Sequence, residues 1–398
     1  MNFVWGVIGV IVVLSIAFLF STKKNAINLR TIVGGLAIQF LFAFIVLKWE
    51  SGKEGLEWFT LRVQDIINYA NEGIAFLFGP LADGDEIGTI FAFHVLPIII
   101  FFSSLISVLY YLGVMQWIIK ILGGGLSKLL GTSKSESMSA AANIFVGQTE
   151  APLVVRPFLS KMTHSELFAV MTGGLASVAG SVLIGYSLMG VPLEYLLAAS
   201  FMAAPAGLIM AKIMMPETEV SETTDEIEIE KDVESTNVID AAAKGASDGL
   251  KLALNVGAML LAFIALIALI NGILGIFGGI TLELILGYVF APVAFAIGVP
   301  WSEAVMAGGF IGQKLVLNEF VAYASFSPEM ENLSAKTNLI VSFALCGFAN
   351  LSSMAILLGG LGGIAPNRRK DIAKMGLKAV AAGMLASLLS AAVAGMFF

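Results

Sequence analysis

Eight stretches of this chain, at 3–20, 31–48, 90–112, 165–188, 192–214, 249–273, 336–360 and 374–397, are apolar and close to 20 residues long. A run of about 20 apolar residues is the length of helix that crosses a bilayer. No single water-soluble core can absorb so many such runs. Composition agrees: 58% of residues are hydrophobic and only 13% charged, and the mean hydropathy is +0.91. Soluble domains carry about 25% charged residues. The pattern predicts an all-α polytopic membrane protein and excludes a disordered chain or a nucleic-acid binder, which needs a basic surface.

The net charge of -7 is local. Glu217 to Glu234 holds nine acids and one base, which leaves 21 bases against 20 acids elsewhere. That run reads as a solvated linker. Cys346 is the only cysteine, so no internal disulfide can form, and His94 and His164 are too far apart in sequence to read as a zinc pair. No base precedes Lys23 and no small-residue cleavage site is clear, so the first apolar run is expected to be retained.

Loop bases set the expected orientation. Lys23, Lys24 and Arg30 follow the first span, and Arg368, Arg369 and Lys370 follow the seventh. With eight spans these loops share a side, which the positive-inside rule makes cytoplasmic. Both termini then face outward. Residues 55–80 alternate charge with Trp58, Phe59, Ile66, Ile67 and Phe76 and read as an amphipathic interfacial helix, with 114–130 and 281–297 as similar candidates.

Residues 135–160 and 302–326 fit no span. Each has apolar arms around a polar middle, Gly147-Gln148-Thr149-Glu150 in the first and Lys314 to Glu319 in the second. An arm of about 11 residues reaches only ~16 Å, roughly half a bilayer. Both therefore read as re-entrant hairpins, tolerated at membrane depth only inside protein or along a wet cavity. The chain also repeats weakly. Gly131 to Glu136 matches Gly298 to Glu303 at an offset of 167, and Gly174 to Ser177 matches Gly347 to Asn350 at an offset of 173. Each half has three spans, an odd number, so the halves must run in opposite senses. An inverted repeat with broken helices in matching positions points to the binding site of a secondary transporter.

The expected organisation is N-terminal spans and an interfacial helix over 1–89, forming a scaffold. A first repeat over 90–215 contains the first hairpin. A linker covers 216–247, and a second repeat over 248–398 contains the second hairpin.

Glu150, Glu319 and Lys314 are ionisable groups in apolar surroundings, where a charge is costly and a functional role is the default. The plainer reading of Glu150 is a first-turn acid on a helix started by Pro152. Lys314 could pair with an acid or snorkel. Asn350 and Ser353, at i and i+3 in the seventh span, share a direction, and Ser177, Gly180 and Ser181 are their counterparts in the fourth. The plainer reading of these is helix–helix hydrogen bonding. Carboxylates, amides and hydroxyls without an arginine cluster suit a polar, largely neutral solute, such as a sugar-bearing base.

At these residues the chain resembles the concentrative nucleoside transporters over essentially its full length. Gly312-Gln-Lys314-Leu-Val-Leu-Asn318-Glu319-Phe320-Val321-Ala322-Tyr323 matches a specific family pattern. Gly147 to Pro152 and Gly347 to Ser353 look like its first-hairpin and seventh-span segments. The short loops suggest a bacterial inner membrane, and the resemblance implies a homotrimer, with eight spans, two hairpins and a nucleoside site in each protomer. It also implies a transport domain that moves like an elevator past a scaffold. By motif, Gln148, Thr149 and Glu150 would face the base and Val182 would wall it. Glu319, Asn350 and Ser353 would hold the ribose, with Phe348 nearby. Asn143, Val146, Ser177 and Val178 match the sodium-holding positions; sodium is the expected coupling ion and no other cofactor is implied. One departure is Gly309, where close relatives often carry Glu.

The expected function is therefore sodium-driven nucleoside import, with a uridine-like pyrimidine as substrate and no enzymatic activity. The nearest alternative is proton coupling through Glu150 or Glu319. An intramembrane hydrolase would need a nucleophile with a base, or metal ligands, and neither histidine lies by a polar hairpin. A channel would equalise concentrations without using the ion gradient.

Overall fold

A computed structural model describes residues 2–82, 90–223, 235–276 and 279–398. The acids from Asp225 to Glu234, the larger part of the predicted linker charge, lie outside the described residues. Among the described residues every element is helical. Six of the described helices are long and apolar enough to cross a membrane, or seven spans result if one pair bent by 116° is counted as a single span.

The helices form two layers that differ sharply in burial. The inner layer is α7 (His164–Ala176) with α8 (Gly180–Leu188), α9 (Leu193–Met214) and α16 (Arg369–Met396). Their apolar windows are 89%, 89% and 94% buried. Helix α16 is central and packs on α1 (Asn2–Leu19), α7, α9 and α14 (Ala335–Leu345). The outer layer includes α2 (Leu29–Leu47), α4 (Leu96–Tyr111) and α10 (Val238–Gly275), whose windows are only 22–28% buried. Apolar side chains such as Leu254, Leu261 and Leu269 of α10 point outward, as a lipid-facing surface requires. Helices α4 and α10 approach closely because Gly245 and Gly249 face Ser103; a Cβ at Gly249 would lie 2.7 Å from the Ser103 Cβ. Helix α10 begins at Val238, inside the stretch read as linker, because the Asn237 side chain caps it by accepting from the Asp240 N–H.

Residues 50–78 form one amphipathic helix, α3 (Glu50–Phe78), which buries Ile67, Ala70 and Ile74 and leaves Trp58, Tyr69 and Phe76 outside. Next in chain order are α5 (Val114–Leu130) and α6 (Lys134–Ala142). In the second half α11 (Leu282–Ala296) precedes α12 (Trp301–Val316), α13 (Glu319–Phe326) and α15 (Ser353–Ile364).

Two apolar stretches read as continuous spans are broken in the middle. Residues 177–179 separate α7 from α8, and 346–352 separate α14 from α15. The stretches with polar middles are broken too: α6 gives way to turns over 143–150 and a 3-10 helix, Ala151–Phe158, and α12 stops two residues before α13. Unwound backbone of this kind survives away from water only when protein surrounds it, and most residues of the breaks are buried.

The two halves begin their broken segments near opposite ends of α1. Gly131, just before α6, would place a Cβ 3.2 Å from Arg30, beyond the C-terminal end of α1. Gly298, just before α12, would place one 3.6 Å from Trp5, near the N-terminal end of α1. Both glycines have positive φ, +69° and +113°, a conformation that suits glycine in a sharp entry turn.

The base-bearing loops gather at the first of these ends. Arg30 donates to the Lys128 and Leu129 carbonyls at 2.5 and 3.4 Å. Arg368 bonds to the Met162 carbonyl and to Asp371. The start of the acidic linker lies there as well. Lys212, on α9, pairs with buried Glu136 at 2.5 Å, while Thr163 and His164 donate to Glu217 and Glu219.

Candidate functional site

Glu319 is the first residue of α13, which Asn318 caps by accepting from the Val321 N–H at 2.9 Å. The residue is 4% exposed. Oε2 accepts from Asn350 Nδ2 at 2.9 Å and Oε1 accepts from the Tyr186 hydroxyl at 3.2 Å. Asn350 Oδ1 in turn accepts from the Ser353 N–H at 2.8 Å and from Ser352 Oγ at 2.7 Å. Ser353 Oγ accepts from Gln148 Nε2 at 3.5 Å. One chain of polar contacts thus joins the first polar-centred stretch, the second, and both broken spans.

Asn350 and Ser353 were expected on one face of a continuous helix. The break changes the reason for their proximity: Asn350 lies outside the helix and its side chain caps the start of α15. Capping satisfies an N–H that the break would otherwise orphan.

The other expected site residues divide. Val182 is 1% exposed on α8. Phe348, half-buried, donates its N–H to the Ser177 carbonyl at 3.1 Å. A Cβ on Gly347 would lie 2.8 Å from the Ala176 carbonyl, so the two breaks cross in direct contact. Thr149 packs toward Gly360 of α15, where a Cβ would meet its Cγ2 at 2.8 Å. Glu150 stands directly before the 3-10 helix with Pro152 in its first turn, and accepts from Thr149 Oγ1 at 3.2 Å. Lys314 neither snorkels nor pairs with an acid at hydrogen-bond distance. Fully buried, it donates to the Ala344 carbonyl at 2.8 Å and to Ser387 Oγ at 3.1 Å.

Tyr186 was not among the expected site residues. It is fully buried, stacks on Tyr323 at 4.4 Å and meets Phe320 edge-on at 4.7 Å. Its one signal in the sequence is its place four residues after Val182, on the same helical face.

Residues 8–81, 92–193 and 195–395 match families described as Na+ dependent nucleoside transporter N-terminus, Nucleoside recognition, and Na+ dependent nucleoside transporter C-terminus. The nucleoside permease NupC of Helicobacter pylori is 52% identical over 409 residues, covering 99% of this chain and 97% of that one. The chain belongs to the concentrative nucleoside transporter family. YutK of Bacillus subtilis, an uncharacterized transporter, is 62% identical over 405 residues and covers all of both chains. A solved structure of CNTnw in an inward-facing substrate-bound state has a TM-score of 0.96 at 56% identity, covering 99% of this chain and 98% of that one.

As a concentrative nucleoside transporter the chain is a multi-pass membrane permease and not an enzyme, which removes the hydrolase alternative. The residues expected to hold a cation suit that task. Asn143 Nδ2 donates to the Ser139 carbonyl at 2.9 Å, which leaves its buried Oδ1 without a partner among the described residues. Among the described residues, neither the Val146 nor the Val178 carbonyl accepts a backbone hydrogen bond. Ser177 Oγ donates to the Gly173 carbonyl at 3.0 Å and keeps its acceptor capacity. The two segments lie close: a Cβ on Gly174 would sit 2.9 Å from the Gln148 Cβ and 3.7 Å from Asn143 Oδ1. Unpaired carbonyls at unwound helix ends, with an amide oxygen, are a hard cation's ligand chemistry.

Proposed function

We propose that this transporter imports nucleosides, a uridine-like pyrimidine first among them, by coupling their entry to sodium. The observation that carries the reading is the polar chain from Gln148 through Ser353 and Asn350 to Glu319, next to buried oxygens that lack partners. Gln148, Thr149 and Glu150 face the base, some through water, and Val182 walls it. Glu319, Asn350 and Ser353 hold the ribose hydroxyls, with Phe348 beside them. Sodium sits among Asn143, Val146, Ser177 and Val178. Gln148 follows Asn143 on the same turn segment, so ion and base order one piece of backbone, and each raises affinity for the other.

Transport proceeds as an elevator in a homotrimer. Eight spans, two of them broken, and two re-entrant hairpins form an inverted repeat; the entry of the two halves from opposite ends of α1 supports that arrangement. Residues 1–89 form scaffold, 90–215 and 248–398 the repeats, and 216–247 the connection between them. The clustered bases face the cytoplasm and both termini face outward, in a bacterial inner membrane.

Counterflow of labelled uridine into proteoliposomes, competed with each nucleoside in the presence and absence of sodium, tests the reading. The expected result is sodium-dependent exchange competed most strongly by pyrimidine nucleosides. Exchange that ignores sodium but follows a proton gradient replaces sodium with protons. Equal competition by purines removes the pyrimidine preference.

A further inference from the structure

We propose that the Lys314 ammonium is a tethered cation, standing in the second repeat where a sodium ion stands in the first, so that one mobile cation accompanies each nucleoside. The inference rests on the sodium reading above and concerns a residue which that reading leaves without a role.

Thr163 caps α7 and Ser334 caps α14, 171 residues apart. The same 171 residues, an offset between the 167 and 173 of the two sequence matches, separate Asn143 from Lys314 and Gly173 from Ala344. These pairs meet in both halves. A Cβ on Gly173 would lie 3.2 Å from Asn143 Nδ2, and Lys314 Nζ donates to the Ala344 carbonyl at 2.8 Å. Asn143 is the first residue after α6, and Lys314 lies in the last turn of α12. Each therefore stands at the C-terminal end of the helix that opens its polar-centred stretch, against the C-terminal part of a half-span.

A half-helix C-terminus presents free carbonyls and the negative end of its dipole, which attract a cation. At Lys314 that cation is supplied covalently. Its hydrogen bonds go to neutral oxygens, the Ala344 carbonyl and Ser387 Oγ, and Ser387 also donates toward the Cys346 and Gly383 carbonyls. The Glu319 carboxylate, five residues on, adds attraction at longer range. At the matching place the first repeat offers a neutral amide whose buried Oδ1 has no partner. One repeat has oxygens that await a cation; the other has its cation built in.

The test uses the full-length protein in proteoliposomes. Lys314→Ser opens space at the Ala344 and Ser387 oxygens. It is expected to lose uptake at sodium that saturates wild type and to regain it with more sodium, the activation exponent moving from about one toward about two. Ammonium ion added with the nucleoside should also restore it. Lys314→Met fills the space without charge and should lose uptake without restoration. Lys314→Met with wild-type sodium dependence, or an assembled Lys314→Ser that neither ion restores, overturns the proposal. Should Lys314→Ser fail to assemble, the wild-type reversal potential decides: one sodium per nucleoside is expected, and two overturns it. Sodium-independent uptake by wild type is a different outcome, the failure of the sodium reading itself.

Discussion

Both oxygens of the Glu319 carboxylate have donors from the protein, Asn350 on one side and Tyr186 on the other. Held this way, the carboxylate has a fixed direction and lone pairs left to accept from ribose hydroxyls. Hydrogen bonds to a charged group contribute about 1.5–3 kcal/mol. Glu319→Gln is therefore expected to weaken uridine binding by at least about tenfold while the purified protein keeps its assembly state, as read by size exclusion and by counterflow titration. Tyr186→Phe keeps the ring that stacks on Tyr323 and removes one donor. If Tyr186 positions Glu319, the variant should lose several-fold in affinity for ribonucleosides and little for the deoxy analogue that lacks the hydroxyl proposed for Glu319; an equal loss for both would make Tyr186 a packing residue. Glu319, Asn350, Ser353 and Gln148 were legible in the sequence because a polar residue amid apolar ones has few cheap explanations. Tyr186 was not, since a tyrosine in an apolar span reads as core until its hydroxyl's partner is known.

The elements were legible where polarity interrupts an apolar run and illegible where it does not. Residues 302–326 declared a break through Lys314 and Glu319. Residues 165–188 and 336–360 contain no proline and few charges, so they read as continuous spans, yet each unwinds at its centre. Their breaks are set by tertiary contact. Phe348 donates to the Ser177 carbonyl, and Gly347 leaves room for the Ala176 carbonyl and Ser387. Gly347→Ala would put a methyl 2.8 Å from both. Overpacking of this kind costs about 1–3 kcal/mol. We expect a lower thermal midpoint for the purified variant and reduced uptake, since the breaks carry site residues on both sides. A midpoint equal to wild type would mean that the crossing is looser than described.

At the scale of the whole molecule, an almost wholly buried inner layer lies within an outer layer of largely exposed apolar helices. Hydropathy shows only that a run is apolar; it does not distinguish lipid contact from protein contact, so this division was not legible. Under the proposed elevator, the inner layer would move as a unit against the outer one. One sodium ion entering down a ~100 mV potential releases about 2.3 kcal/mol, and a tenfold gradient adds about 1.4 kcal/mol. Together these support accumulation on the order of several hundred-fold, enough to scavenge dilute nucleoside. Asn143→Ala removes the unpartnered oxygen and should weaken the response to sodium more than it weakens uridine binding at saturating sodium.

The most direct measurement is uridine affinity titrated against sodium at fixed pH, with the reciprocal titration of sodium affinity against uridine, in wild type and Asn143→Ala. Linkage requires the two enhancement factors to be equal. The account predicts equal factors above one in wild type, and a smaller factor in the variant. Wild-type uridine affinity that is the same with and without sodium would contradict it.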